Sequence, residues 1–358
     1  MSQPGSKRII NFPSDRNGCG YYRTIIPLGY LSAKLEWDVT FMYQFAFDLN
    51  LIRSSNWIRF QRQCTENQLV VAREYKKAIT QTQSPAKMMY ELDDLVHGIE
   101  PHNILAYQFY TPVRRQNVVE IMKLSDIVTF STKFLKDYYE QNFGISQSRL
   151  IPNLLPKYLW NPTFEDKRPK KNKPVVLYTG SASHFGPGGD MEPYISMIEA
   201  TMDEFEWLFV GVIPPKFSTP QNQFELAAPY KDKIKFLQWV NFWEYPQLLQ
   251  SVRADVAIAP IADTVFNLAK SDLKYKEYSA MNIPAICTSI GKGRGPYDLA
   301  KCKNLVPSND PDAMYQAIKD LYSNESKRAE TLATQQAYVN NWWLEDPKNI
   351  ELYNTVYA

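Results

Sequence analysis

The stretch Asp255 to Ser289, DVAIAPIADTVFNLAKSDLKYKEYSAMNIPAICTS, constrains the fold more than any other part of this chain. It reads as a strand over Asp255–Pro260, a polar loop, a helix over Ser271–Met281 and a second strand over Ile283–Thr288. Both strands are near-continuous apolar runs, the pattern of parallel strands covered on two faces. The loop therefore lies at the carboxyl end of a strand and the start of a helix. Open α/β sheets bind phosphorylated ligands there.

Asn267, Lys270 and Ser271 fall in that loop, and the helix carries Lys274 and Glu277. Three-to-four-residue spacing places Lys270, Lys274 and Glu277 on one side of the helix. Lysines suit a diphosphate, and a carboxylate accepts hydrogen bonds from sugar hydroxyls. A surface helix with solvated lysines would show the same charges.

The rest of the chain repeats the strand–helix alternation. Strands are expected at Lys7–Phe12, Trp37–Tyr43, Trp57–Gln61, Met88–Leu92, Ile127–Ser131 and Arg149–Ile151, with helices up to Leu35 and over Glu66–Thr80, Val113–Leu124 and Thr132–Asn142. The segment PTFEDKRPKKNKP, residues 162–174, has no periodicity and reads as a linker. A second series follows: strands at Val175–Gly180, Trp207–Gly211 and Ile234–Leu237, helices at Met191–Thr201 and Trp243–Ser251, then the motif segment and a helical end. The fold class expected is α/β, with two Rossmann-like, doubly wound domains facing a cleft. Their expected extents are 1–161 and 175–335, with a crossover helix over 336–358 returning to the first domain.

Composition narrows the options. A chain of 358 residues exceeds what one core organises, and 44% hydrophobic content fills two. The net charge of +2 demands no polyanionic or membrane partner. No apolar run approaches a bilayer span, so no integral membrane association is expected. The start, MSQPGSKRIINFPSD, lacks the apolar core of a secretory signal. Cys19, Cys64, Cys287 and Cys302 are scattered and read as free thiols in a reducing cytoplasm. With three histidines in the whole chain, no His-rich metal site is expected.

Two further constellations stand at predicted strand ends. Gly18 and Gly20 before Tyr21, Tyr22 and Arg23 let the backbone approach a ligand and open a helix, with Arg23 one turn inside as a phosphate contact. A plain turn explains the glycines as well. Asp93, Asp94 and His97 follow the Met88–Leu92 strand, as acceptor-orienting groups or a general base; a helix cap is the alternative for either aspartate. The loop Gly180, Ser181 to His184 follows the first strand of the second domain and faces the cleft, with Asp190 as cap of the next helix.

The motif FN-x-x-KS-x-x-K-x-x-E-Y-x-A, followed by NIPAICTS, resembles the C-terminal half of retaining GT-B glycosyltransferases of the large family 4-like group. The resemblance implies a nucleotide-sugar donor, a UDP-sugar above all, with no cofactor and no metal. It implies Glu277 on the nucleotide ribose and Lys270, Ser271 and Lys274 on the diphosphate. Gly18, Gly20, Arg23, Gly180, Ser181, His184 and Asn267 complete the donor side, and Asp94, His97 and Lys270 form the catalytic set. Transfer would be front-face, with the leaving diphosphate helping to deprotonate the acceptor. Two departures stand out. Ala269 occupies the place of a Glu that touches the donor sugar, so that contact is lost or passes to Asn267. The usual Arg and Lys after the first C-domain strand are missing too, which also fits a non-catalytic GT-B-like binding protein.

For the acceptor, the style resembles phage-encoded GT-B enzymes that glycosylate 5-hydroxymethylcytosine in DNA. Double-stranded DNA is the partner this implies, in a host cytoplasm. Arg114, Arg115, Lys170 and Lys171 would then meet phosphates, and Tyr21 and Tyr22 would support a flipped base. Solvated surfaces explain the same charges, and a surface or capsular glycan is the competing acceptor.

Overall fold

The computed structural model describes residues 7–161, 173–181 and 184–358. Two all-parallel, six-stranded sheets organise the chain. The first contains β1 (Arg8–Phe12), β2 (Asp38–Phe41), β3 (Trp57–Gln61), β4 (Lys87–Leu92), β5 (Ile127–Phe130) and β6 (Ser148–Leu150), in the order β2-β1-β3-β4-β5-β6. The second contains β7 (Val175–Gly180), β8 (Glu206–Gly211), β11 (Ile234–Gln238), β12 (Val256–Ala259), β13 (Ala285–Ser289) and β14 (Leu305–Pro307), in the order β11-β8-β7-β12-β13-β14. The two-domain α/β fold expected from the sequence is the observed one.

Local chemistry accounts for the elements. All six residues of β7, VVLYTG, are buried, as in a strand covered on both faces. Helix Glu66–Thr82 opens with a capping box, in which the Thr65 side chain and Gln68 exchange backbone bonds, and it buries Leu69, Ala72, Tyr75 and Ile79. Helix Pro311–Ser323 seals the second sheet with Met314, Ile318 and Leu321.

Several details depart from expectation. The helix expected at Met191–Thr201 is a 3₁₀ turn over Glu192–Tyr194 followed by a helix confined to Ile195–Ala200. An antiparallel hairpin, β9 (Ser218–Thr219) with β10 (Asn222–Leu226), lies between β8 and β11. Within the expected 260–270 loop, Val265–Leu268 form a helical turn capped by Thr264. The linker expected at 162–174 falls almost entirely outside the described residues.

The return crossing is not the helix expected from residue 336 onward. Helix Glu325–Val339 ends within the second domain, a non-helical segment crosses, and helix Pro347–Val356 packs on the first sheet. Leu155 of the outgoing segment pairs with Trp343 of the returning one. Leu155 N–H donates to Trp342 O at 3.0 Å, and Leu344 N–H to Leu155 O at 2.9 Å. Beyond the helix, Tyr357 packs against Trp37 and Trp57, and Trp57 Nε1 donates to Tyr357 O at 3.0 Å.

Strand order reverses at β1/β3 in the first sheet and at β7/β12 in the second. At such switch points, adjacent loops diverge and leave a crevice at the carboxyl ends of the strands. The loops after β1, β3, β4, β6, β7 and β12 all contribute to the cavity between the domains.

Candidate active site

The interdomain cleft encloses a cavity of about 560 Å³. Its first-domain wall carries Cys19 after β1, Arg62 after β3, and Asp93 and Asp94 after β4. Glu100, His102, Leu105 and Tyr110 extend that wall. Opposite lie Ser181, His184 and Asp190 after β7, and Asn267, Lys270, Ser271 and Lys274 after β12.

Asp190 organises the second-domain wall instead of capping a helix. Its Oδ1 accepts from Ala262 N–H at 2.7 Å and Asn267 Nδ2 at 2.8 Å. Its Oδ2 lies 2.5 Å from His184 Nδ1 and 3.8 Å from Lys270 Nζ. Burial alone would raise its carboxyl, but Lys270 and the His184 hydrogen bond hold it well below the usual carboxylate range. Burial, with Lys274 and Lys270 nearby, pushes His184 down to about 4, so this imidazole is neutral at physiological pH. Asn267 spends its amide on Asp190 and, at 2.9 Å, on Ala262 O.

The two lysines differ. Lys274 Nζ sits 4.7 Å over the Tyr178 ring, and burial with the neighbouring Lys270 charge pushes it down to about 8. Lys270 Nζ lies 5.1 Å over Phe266. Ser271 Oγ accepts from Asn153 Nδ2 at 2.7 Å. Asn153 Oδ1 in turn accepts from Arg23 Nη1 at 2.8 Å, and Lys276 Nζ donates to Asn153 O at 3.0 Å.

Some expected residues stand away from the cavity. Arg23 is 1% exposed and is committed to Glu91, with Nε–Oε1 at 2.6 Å; it acts on the cleft only through Asn153. His97 turns back into its own domain, with Nδ1 2.8 Å from the Tyr139 hydroxyl and its ring against Phe143. Burial and Arg115 push it down to about 4. His102, which the sequence did not single out, lines the cavity instead and pairs with Glu100 at 3.2 Å. Glu277 is 5% exposed; its Oε1 accepts from the Tyr22 hydroxyl at 2.5 Å, and burial pushes it up to about 7.

Gly18 is exposed beside the cleft-lining Cys19, and Gly20 is buried. Gly20 N–H donates to Asp15 Oδ1 at 3.0 Å, and a Cβ there would lie 2.0 Å from Asp15 O. Gly180 is likewise closed by the Tyr178 hydroxyl, 2.5 Å from where its Cβ would be. Tyr21 stacks on Phe242 of the second domain at 4.8 Å. Arg115 donates to the carbonyls of Tyr110 and, at longer range, His97 and Ile99, and Arg114 donates to Phe109 O. Lys170 and Lys171 lie outside the described residues.

Ala269, the departure from the family pattern, is 1% exposed and packs into the first domain's core. Its carbonyl accepts from Thr132 Oγ1 at 2.8 Å. The position has become a domain contact. Cys19, Asp93 and Asp94 bring three potential ligand atoms within 4.8 Å of one another, and Arg62 supplies the positive charge among them, with Nη1 3.1 Å from Cys19 Sγ.

Residues 173–324 match the family described as glycosyl transferases group 1. No curated protein matches the chain by sequence. Solved structures match over nearly the whole length at low identity. Sucrose-phosphate synthase from Thermosynechococcus elongatus is 15% identical with a TM-score of 0.65, and 98% of each chain is covered. HepE from Anabaena, solved with UDP and glucose, is 12% identical with a TM-score of 0.64 and coverage of 98% and 99%. A glycosyltransferase from Rickettsia africae is 17% identical with a TM-score of 0.60, and 99% of each chain is covered. These likenesses establish the GT-B fold. Among the described residues, no helix is long and apolar enough to cross a membrane.

Proposed function

We propose that this group 1 glycosyltransferase takes its sugar from a UDP-sugar and transfers it, with retention, to a hydroxyl of an uncharged acceptor. The carrying observation is the division of charge across the cleft. Lys270 and Lys274 stand on one wall, and Asp93, Asp94 and Glu100 on the other. Lysines at the head of a helix suit a leaving diphosphate, whose charge grows in the transition state. The UDP bound in the Anabaena neighbour supports the choice of nucleotide.

In this reading Lys270, Ser271 and Lys274 hold the diphosphate, and Ser181 borders the sugar. Asp94 accepts a hydrogen bond from the attacking hydroxyl, orienting it toward the anomeric carbon. The leaving phosphate oxygen takes the proton as the new glycosidic bond forms on the face the nucleotide leaves. Contact between the walls excludes water from the reacting centre.

For the acceptor, three carboxylates against the single guanidinium of Arg62 disfavour phosphate groups at the first-domain wall. The arginines expected to meet DNA donate to carbonyls of their own domain. Leu105 joins the cavity lining from a short helix, Ile104–Phe109, that buries none of its residues. That rim suits an acceptor with an apolar part. A neutral glycan or glycoside therefore fits better than 5-hydroxymethylcytosine in DNA.

The test is incubation with UDP-glucose, UDP-N-acetylglucosamine and GDP-mannose. The acceptors are neutral glycosides, phosphorylated sugars and hydroxymethylated DNA, and products are weighed by mass spectrometry. A sugar mass added to a neutral glycoside from a UDP-sugar is expected. Addition to hydroxymethylated DNA alone would restore the DNA acceptor, and turnover with GDP-mannose alone would remove the UDP assignment.

A further inference from the structure

Arg62 is the residue immediately after β3, and its backbone has φ 63°. That is the left-handed region, which a non-glycine residue occupies only when its surroundings hold it there. The turn is kept in the sheet's ladder by its N–H, which donates to Glu91 O at 3.1 Å. The reward for this backbone is where the side chain lands. The guanidinium is 15% exposed and touches four groups of the cleft wall. Nη1 is 3.1 Å from Cys19 Sγ, Nε 3.6 Å from Asp93 Oδ1, Nη2 3.3 Å from Asp94 Oδ2, and Nη2 donates to the Tyr110 hydroxyl at 3.2 Å. These four groups come from three separate parts of the first domain: the loops after β1 and β4, and the end of the helix Ile104–Phe109.

We propose that Arg62 is the positioning residue of the acceptor site, holding Asp93 and Asp94 as a fixed pair with Asp94 presented to the incoming hydroxyl. The inference rests on the glycosyltransferase reading given above and adds a residue that the motif does not contain. The planar guanidinium directs its hydrogen bonds to Tyr110 and Cys19, and that keeps its charge within 3.6 Å of both carboxylates; an ammonium keeps the charge without that fixed fork. Left unpaired, two carboxylates this close repel, and one of them takes up a proton.

The balance at Asp94 is set from every side. Burial raises its carboxyl, Arg62 opposes that, Asp93 raises it further, and Lys270 across the cleft lowers it, as does His184 once acid pH has protonated it. Cys19 and the Tyr110 hydroxyl complete the surroundings through Arg62. The net direction is upward, and Arg62 is the largest of the groups that oppose it. Without Arg62, the proton returns at a higher pH.

Two variants test this. Arg62→Gly relieves the backbone and removes the side chain; Arg62→Lys keeps the charge and loses the fork. Three readouts apply: calorimetric binding of UDP, the acid limb of UDP-glucose transfer to water, and the Asp94 carboxylate followed by ¹³C NMR, assigned with Asp94→Asn. For Arg62→Gly, UDP affinity stays within about twofold, while the Asp94 midpoint and the acid limb rise together by about one pH unit or more. Arg62→Lys is expected between the two. An unmoved Asp94 midpoint in either variant overturns the proposal, as does a loss of UDP affinity as large as the loss of transfer. If Arg62→Gly fails to fold, an Arg62→Lys protein indistinguishable from wild type in transfer and titration overturns it equally. UDP that fails to bind the wild-type protein counts against the proposed donor, and the Asp94 titration alone then decides on Arg62.

Discussion

The Tyr22 hydroxyl of the first domain donates to Glu277 Oε1 of the second at 2.5 Å, a bond between two residues that are 7% and 5% exposed. A ribose that uses Glu277, as the family resemblance implies, has to take this bond over. Tyr22→Phe removes the competitor. UDP affinity is therefore expected to rise about fivefold, the worth of one ordinary hydrogen bond near 1 kcal/mol. Calorimetry with UDP decides, and unchanged or weaker binding would mean that the nucleoside does not reach Glu277.

The same carboxyl predicts a pH dependence of stability. Burial pushes Glu277 up to about 7, against hydrogen bonds from Tyr22 and Tyr245 and the charge of Lys274. Between its unfolded value and 7, the folded protein holds the proton more tightly than the unfolded chain does. Its contribution is complete at acid pH and is lost as pH rises through 7. Glu277→Gln does not ionise. The variant's stability relative to wild type is expected to improve between pH 5 and pH 8, by up to about 3 kcal/mol. Chemical denaturation at the two pH values measures it; parallel behaviour of the two proteins contradicts it.

Lys274 titrates in the working range, pushed down to about 8 by burial and Lys270. A diphosphate favours the charged form. UDP affinity is expected to fall above pH 8, by up to tenfold per pH unit. Lys274→Met is expected to bind UDP about tenfold or more weakly at pH 7 and to lose the bend near pH 8. A wild-type affinity that is level from pH 7 to pH 9 would remove Lys274 from the diphosphate site.

In the first domain's interior, Glu91 holds two arginines. Arg23 Nε lies 2.6 Å from Oε1 and Arg59 Nη2 3.3 Å from Oε2, with all three side chains at most 1% exposed. Thr129 donates to the same carboxylate. Glu91→Ala strands two buried cations and is expected to cost about 3–5 kcal/mol. Denaturant unfolding of the intact chain measures this, and a loss under 1 kcal/mol would mean that water reaches the arginines.

How much of this was legible beforehand depended on distance along the chain. Strands such as β12 and β13 were placed from their apolar runs, because burial on both faces leaves a mark in a few consecutive residues. The carboxyl-end loops followed from those strands. What failed was the direction and partnership of side chains. Lys270, Lys274 and Glu277 share a spacing, but helix Leu273–Ala280 buries every residue from Tyr275 to Ala280, so spacing did not mark a solvent face. His97 and His102 stand on one short loop, and the 3₁₀ turn Val96–Gly98 aims the first inward. Asp190 follows two glycines and precedes a helical run, the look of a cap. Its real partners, Ala262 and Asn267, lie 72 and 77 residues further on. Arg62 had no local signal, since a left-handed backbone at a non-glycine residue is dictated by the groups around it.

The return of residues 347–357 to the first sheet has a consequence for how the protein is made. Trp37 and Trp57 are covered by Tyr357, and Lys7 Nζ is held by Asn354 Oδ1 at 3.2 Å. On a ribosome, the first sheet's strands are complete hundreds of residues before their cover is synthesised. Until then, two tryptophans at the amino ends of its strands stay open to water or to other chains. The second domain emerges in the interval, so the cover over Trp37 and Trp57 is the last part of the first domain to be put in place.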